Sequence, residues 1–140
     1  MAGRKNVVFV SEKNACRSII AQAYAQKLGF DKFDSQSFGL HPDRLHYLVQ
    51  EFLKDNGVDT TFYFSKAYEV IERRKIDLLI LMNPSLKDQL PQIDPKPDIE
   101  VWEFEDPARK DIPESDMSRE IEELADAIQQ KVKNLVERYN

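Results

Sequence analysis

The sequence holds a single cysteine, Cys16, so no intrachain disulfide can form. It has no excess of basic residues: the net charge is −5 and the pI is near 5.1. Broad electrostatic attraction to nucleic acid or anionic lipid is therefore not expected, although a local basic patch is compatible with this balance. No apolar run approaches the ~20 residues that cross a bilayer. The first residues, Met1-Ala2-Gly3-Arg4-Lys5, lead into a short apolar run without a signal-peptide cleavage pattern. Internal repeats, low-complexity tracts and a domain linker are also missing. Together these absences predict a cytoplasmic protein with neither a nucleic-acid nor a membrane partner. The composition that remains, 41% hydrophobic and 32% charged, is that of an ordinary globular protein. A chain of 140 residues fits one core, so residues 1–140 are expected to form a single domain.

Hydrophobic periodicity sets out the elements. Val7-Val8-Phe9-Val10 is a continuous β-branched and aromatic run, the pattern of a strand buried on both faces. A polar loop, Ser11-Glu12-Lys13-Asn14, follows. From 15 to 28 the pattern is helical, with Ile20, Tyr24 and Leu28 recurring every four residues and Gly29 as the stop. Residues 33–38 read as a second strand. A helix is expected over 42–56, with Leu45, Leu48, Val49, Phe52 and Leu53 on one face and Gly57 behind it. A short helix is expected over 65–74, a buried strand over 76–82, and a helical turn from Asn83-Pro84-Ser85. Pro91, Pro95 and Pro97 make residues 91–98 a loop, and 99–104 reads as a last strand whose alternation points Trp102 and Phe104 to the core. The final helix, 118–139, steps through Ile121, Leu124, Ile128, Val132 and Leu135. Strands alternating with helices predict an α/β fold: a three-layer sandwich with a four-stranded parallel sheet covered by helices on both faces. Ligands of such sheets bind beyond the C-terminal strand ends.

One such end leads into Ser11-Glu12-Lys13-Asn14-Ala15-Cys16-Arg17-Ser18. The first N–H groups of the helix that follows have no intrahelical partner, and the helix adds roughly half a positive charge there. Arg17 offers a planar fork matched to two oxygens of a phosphate-like ion. Asn14 tolerates the left-handed backbone that a tight cradle needs. The stretch 7–28 is therefore expected to build an oxyanion pocket. The same residues also suit a plain surface loop with a capping Asn and a solvated Arg. A second feature lies far away, in Trp102-Glu103-Phe104-Glu105-Asp106-Pro107-Ala108. Asp-Pro commonly does no more than start a turn.

Taken in order, these two motifs resemble the low-molecular-weight protein tyrosine phosphatases and the related thioredoxin-coupled arsenate reductases. Members of that family carry a nucleophilic cysteine, five residues, then arginine and serine, directly after the first strand, and a general acid in an Asp-Pro pair after the last. Ser37-Phe38-Gly39, Gly57-Val58-Asp59 and Ser65-Lys66 are similar too, so the resemblance runs along nearly the whole chain. It implies the low-molecular-weight phosphatase fold and no metal or cofactor. It implies an oxyanion such as phosphate, sulfate or arsenate held by Glu12, Lys13, Asn14, Ala15, Cys16, Arg17 and Ser18, with a phosphoprotein as a further partner class. The implied catalytic positions are 11, Arg17 and Asp106. The residue at 11 would attack the phosphate, Arg17 would stabilise the equatorial oxygens, and Asp106 would protonate the leaving group and then activate water. Ser18 would hydrogen-bond the nucleophile.

The chain departs from that pattern where it matters most, because Ser11 stands where the family has its cysteine. A hydroxyl is far less acidic than a thiol and needs an adjacent base to attack. Neither His41 nor His46 is placed by motif to serve. The Ser11 chain is therefore expected to bind an oxyanion and turn it over very poorly, if at all. Position 11 has two possible origins: a deliberate Cys→Ser replacement, or the native serine of a relative that has lost catalysis. Codon 11 of the gene distinguishes them. Cys16, at the helix start, is expected to be somewhat activated by the helix dipole; it reads either as a small half-buried residue or, as the resemblance implies, as the redox partner of a cysteine at position 11, a role that Ser11 rules out here. The reductase branch needs further cysteines after the third strand, yet Met82-Asn83-Pro84-Ser85-Leu86-Lys87-Asp88-Gln89 has none. Conversely, Ala108 and Arg109 follow the Asp-Pro pair where phosphatases commonly present aromatics. Three functions stay open: a phosphatase with its nucleophile replaced, an arsenate reductase-like protein without the internal relay, and a non-catalytic phosphate-binding module.

Overall fold

The computed structural model describes residues 4–109 and 111–139, without the side chains of Phe62 and Arg109. The sequence readings at residues 1–3 and at the Arg109 side chain therefore lie outside the described residues. Four strands, β1 (Lys5–Ser11), β2 (Phe33–Gly39), β3 (Leu78–Leu81) and β4 (Asp98–Val101), form one sheet in the order β2-β1-β3-β4. All three pairings are parallel, with Ser11 opposite Gly39 and Leu81 opposite Val101. The strands end together at one edge, which gathers the loops after β1, β2, β3 and β4.

The two central strands are apolar over residues 7–10 and Leu78–Leu81 because both of their faces are covered there. Val7, Phe9, Leu78 and Ile80 face a large cluster built with α1 (Arg17–Leu28), α2 (Tyr47–Asp55) and α3 (Glu114–Arg138). Val8, Val10, Leu79 and Leu81 face a smaller one with Phe38, Ile71, Ile76 and Leu86. The α-helices thus lie on one face, while the other is covered by loops and the short 3-10 turns Tyr68–Val70 and Pro84–Gln89. Trp102 is buried against Phe9, and Phe104 packs at the margin of the larger cluster.

Several boundaries differ from expectation for identifiable reasons. The helix expected at 42–56 begins only at Tyr47, because Leu40, His41, Asp43 and His46 donate their N–H groups to the 11–15 loop instead of to a helix. His46 caps α2 by accepting from the Leu48 N–H. The helix expected at 65–74 is reduced to Tyr68–Val70, since Ser65 and Lys66 are tied to Asn14. The last helix starts at Glu114, one turn before the apolar stripe, with Pro113 ahead of it and acidic residues in its first turn. Gly29 follows α1 as expected, but with φ −126° rather than a left-handed turn. Its missing side chain matters through packing, because a Cβ there would lie 2.6 Å from the Phe33 ring.

Candidate oxyanion site

The loop from Ser11 to α1 is shaped by where its carbonyls go. The Ser11, Glu12, Lys13 and Ala15 carbonyls accept from the N–H groups of Leu40, His41, Asp43 and His46, at 2.7–3.3 Å. The Asn14 carbonyl accepts from the Ser65 hydroxyl at 2.5 Å. Five successive carbonyls therefore face the surrounding segments. In a trans peptide the following N–H points the opposite way, so the amides of residues 12–16 turn toward the hollow of the loop. The one whose partner is defined agrees: the Asn14 N–H donates to Ser11 Oγ at 3.1 Å. Gly39 allows this close docking, because a Cβ there would lie 2.8 Å from the Asn14 nitrogen and from the Lys13 carbonyl carbon.

Asn14 is the keystone. It is fully buried and has φ 52°, a conformation that costs a non-glycine residue on the order of 1 kcal/mol. Its side chain offsets that cost with three hydrogen bonds. Oδ1 accepts from the Lys66 N–H at 3.0 Å, and Nδ2 donates to Ser18 Oγ at 2.7 Å and Ser37 Oγ at 3.0 Å. The Ser37 hydroxyl in turn donates to Gln22 Oε1. Ser11 Oγ lies 2.6 Å from Ser18 Oγ.

Arg17 is 3% exposed at the first position of α1. Its Nη1 donates to the Phe104 carbonyl at 2.9 Å and, more weakly, to the Met82 carbonyl at 3.4 Å. The guanidinium plane is thereby fixed against the ends of the chain leaving β3 and β4. Phe104 lies two residues before Asp106, so the same bonds tie the Asp-Pro loop to the cradle. The Asp106 carboxylate accepts from the Ala108 N–H at 3.0 Å and starts the turn Pro107–Arg109. Asp106 is close enough to Cys16 to act on its titration. Burial pushes the Cys16 thiol up, the Asp106 carboxylate pushes it further, and Arg17 opposes both. The expected dipole activation of Cys16 is thus outweighed by burial: the side chain is 1% exposed and packs into the larger core. Glu12 and Lys13 sit at the rim, with Lys13 4.0 Å from Asp43 in an exposed pair.

The residues singled out in the sequence therefore converge: Ser11, Asn14, Arg17 and Ser18 meet in one buried cluster, with Asp106 beside it. His41 is exposed and the His46 ring is engaged in capping, and among the described residues neither is hydrogen-bonded to Ser11. Sequence reasoning assigned no role to Ser37, Gln22, Gly39, Ser65 and Lys66, which hold Asn14 and the loop. The signal was present in β2, where Ser35 and Ser37 occupy buried positions that an ordinary strand fills with apolar residues. Among the described residues there is no group of three or more His, Cys, Asp or Glu able to hold a metal. Nor is any helix long and apolar enough to cross a membrane among them.

A parallel sheet with its loops and a helix N-terminus gathered at the C-terminal edge defines a class of α/β proteins whose ligands bind at that edge. Within that class, residues 6–140 match the family described as low molecular weight phosphotyrosine protein phosphatase, and the chain belongs to it. It is 26% identical over 126 residues to an arsenate reductase of Staphylococcus haemolyticus, covering 90% of this chain and 95% of that protein. Among solved structures, it resembles a thioredoxin-dependent arsenate reductase of Corynebacterium glutamicum. The TM-score there is 0.75 at 27% identity, over 99% of this chain and 63% of that one. It also shares the fold of the tyrosine phosphatase Wzb from Escherichia coli K30, crystallised with sulphate, with a TM-score of 0.77 at 19% identity over 98% and 99% of the two chains.

Proposed function

We propose that this chain binds a tetrahedral oxyanion in the 11–18 loop and, with serine at position 11, does not turn it over at a useful rate. The observation that carries this reading is the outward bonding of five loop carbonyls, which turns the amides of residues 12–16 into one hollow beside Arg17. Convergent N–H groups, a helix N-terminus and a fixed guanidinium favour phosphate, sulfate or arsenate over carboxylate or chloride. The absence of turnover follows from Ser11's neighbours. Among the described residues its side-chain hydrogen-bond partners are the Asn14 N–H and the Ser18 hydroxyl, and neither is a base able to take its proton.

A cysteine at 11 would occupy the same position with a far more acidic group, and the family resemblance gives Asp106 the role of protonating the leaving group. We therefore expect Ser11→Cys to hydrolyse an aryl phosphate, and Ser11→Cys/Asp106→Ala to be slower by about a hundredfold, the scale of general-acid catalysis. The assay compares both variants with the parent chain. No hydrolysis by either variant, with phosphate still bound, assigns the chain to the non-catalytic binding modules. Likeness to arsenate reductases supports a second reading, in which arsenate is the anion. Cys16 is the only thiol in the chain and is buried, so reduction by Ser11→Cys would require an external thiol at every turnover.

A further inference from the structure

We infer that Ser11 is a hydrogen-bond donor to the bound anion, so that the cradle reads an unprotonated oxyanion face without any nucleophile beneath it. The inference rests on the anion-binding function proposed above and follows from counting protons. Asn14 fixes the frame. Its Oδ1 must be the atom facing the Lys66 N–H, since that N–H can only donate, so Nδ2 is the atom facing Ser18 and Ser37. Ser18 Oγ therefore accepts from Asn14, and its own proton needs an acceptor. Ser18 is fully buried, and among the described residues its only other hydrogen-bond partner is Ser11 Oγ at 2.6 Å. Either hydroxyl can donate across this pair, but with an anion in the hollow both buried protons are paired only if Ser18 donates to Ser11 and Ser11 donates onward.

Ser11 Oγ also accepts from the Asn14 N–H at 3.1 Å. Both of its lone pairs are now taken, and a hydroxyl has two. Its proton must leave in the remaining direction. The two occupied directions lead to the Ser18 hydroxyl and the Asn14 N–H, and the remaining one is assigned to the hollow beside the amides of residues 12, 13, 15 and 16. Ser11 itself is 2% exposed, so this proton does not face bulk solvent. An oxyanion in the hollow supplies the acceptor. The same two donors, aimed at position 11, would stabilise a thiolate in a cysteine chain. In this chain they occupy the lone pairs that attack would require, and they invert position 11 from electron-pair donor to proton donor.

The test uses the intact chain with inorganic sulfate as probe, because sulfate carries no proton at neutral pH and forms no ester here. Calorimetric titration of the parent chain should show binding, and Ser11→Ala should weaken it about tenfold to a hundredfold, the range of a hydrogen bond to a charged partner. A crystal structure of the parent chain with sulfate should place Ser11 Oγ within hydrogen-bond distance of a sulfate oxygen. That structure decides the matter if Ser11→Ala does not fold. Sulfate bound equally well or better by Ser11→Ala, or lying beyond reach of Ser11 Oγ, overturns the inference and leaves the anion-binding function standing. So does a phosphate adduct on Ser11 after incubation with an aryl phosphate, detected by mass spectrometry. Failure of the parent chain to bind sulfate, phosphate or arsenate overturns the function itself, and the inference with it.

Discussion

Lys66 is 5% exposed as a residue, and its ammonium lies 5.0 Å from the centre of the Phe64 ring and donates to the Phe64 carbonyl at 3.4 Å. Burial lowers its pKa from the ordinary 10.5 to about 8. Its backbone is meanwhile committed on both sides, the N–H to Asn14 and the carbonyl to Gly39. The residue is therefore held in place by the loop it supports, and its charge is a cost of that position. Between pH ~8 and ~10.5 the unfolded chain binds the proton that the native chain has released, so this group makes stability rise with pH across that window. Below about pH 8 both states are charged and the cost is fully present. Lys66→Met should thus stabilise the chain at neutral pH, by on the order of 2 kcal/mol after allowing for solvent screening. The gain should shrink toward zero as pH approaches 10.5. Urea unfolding of both proteins over a pH series measures this difference directly, and parallel curves would show that Lys66 stays solvated. The difference matters, because burial of Tyr24 and Tyr63 raises their phenol pKa values and pulls stability the other way at high pH.

At the scale of elements, the site is a contact between the β1–α1 loop and the chain leaving β2. Register places Ser11 beside Gly39, and the segment 40–46 then runs along the loop as a row of donors. Sequence periodicity could not show this. Leu45 and Leu48 sit at helical spacing from Phe52, and an apolar stripe carries no mark of where the N–H groups in front of it are bonded. The loop's own conformation was more legible, because Asn is one of the few residues that accept a left-handed backbone, and Asn14 has it. Gly39→Ala tests the contact between the elements. Its Cβ would meet loop backbone, which cannot rotate aside as a side chain can. We expect a loss of about 1–3 kcal/mol of stability and at least tenfold weaker sulfate binding. Gly29→Ala is the matched control. Its Cβ meets the Phe33 ring, which is buried and stacked edge-on against Tyr139, at the far end of α1. It should cost comparable stability while leaving sulfate affinity unchanged. Equal loss of affinity in both variants would mean that binding follows global stability rather than the loop.

Over the whole molecule, strand and helix alternation was readable because each central strand has an apolar run and Gly29 and Gly57 follow the first two helices. The layers were less so. The second sheet face is covered by Ile71, Ile76 and Leu86 on turns too short to carry a period. Arg17 was readable as a candidate anion ligand, but its bonds to the Met82 and Phe104 carbonyls reach 65 and 87 residues along the chain and have no sequence signature. Those bonds give the site a consequence for the entire fold. The cradle is closed by β1, the 40–46 segment, Ser65 and Lys66, and through Arg17 by the chain after β3 and β4, so local unfolding of any of these opens it. An anion that binds only the closed cradle must then stabilise the native chain as a unit. Linkage gives about 2.7 kcal/mol at a hundred times the dissociation constant. For a chain of 140 residues that corresponds to a rise of roughly 8 °C in melting temperature. Thermal melts in sulfate should show this as a shift of a single transition, absent in chloride at matched ionic strength. Arg17→Lys keeps the charge but loses the planar guanidinium whose Nη1 bonds the two carbonyls, and should lose most of the shift. If sulfate instead split the transition, the anion would be ordering the loop alone, and Arg17 would not be coupling the site to the sheet.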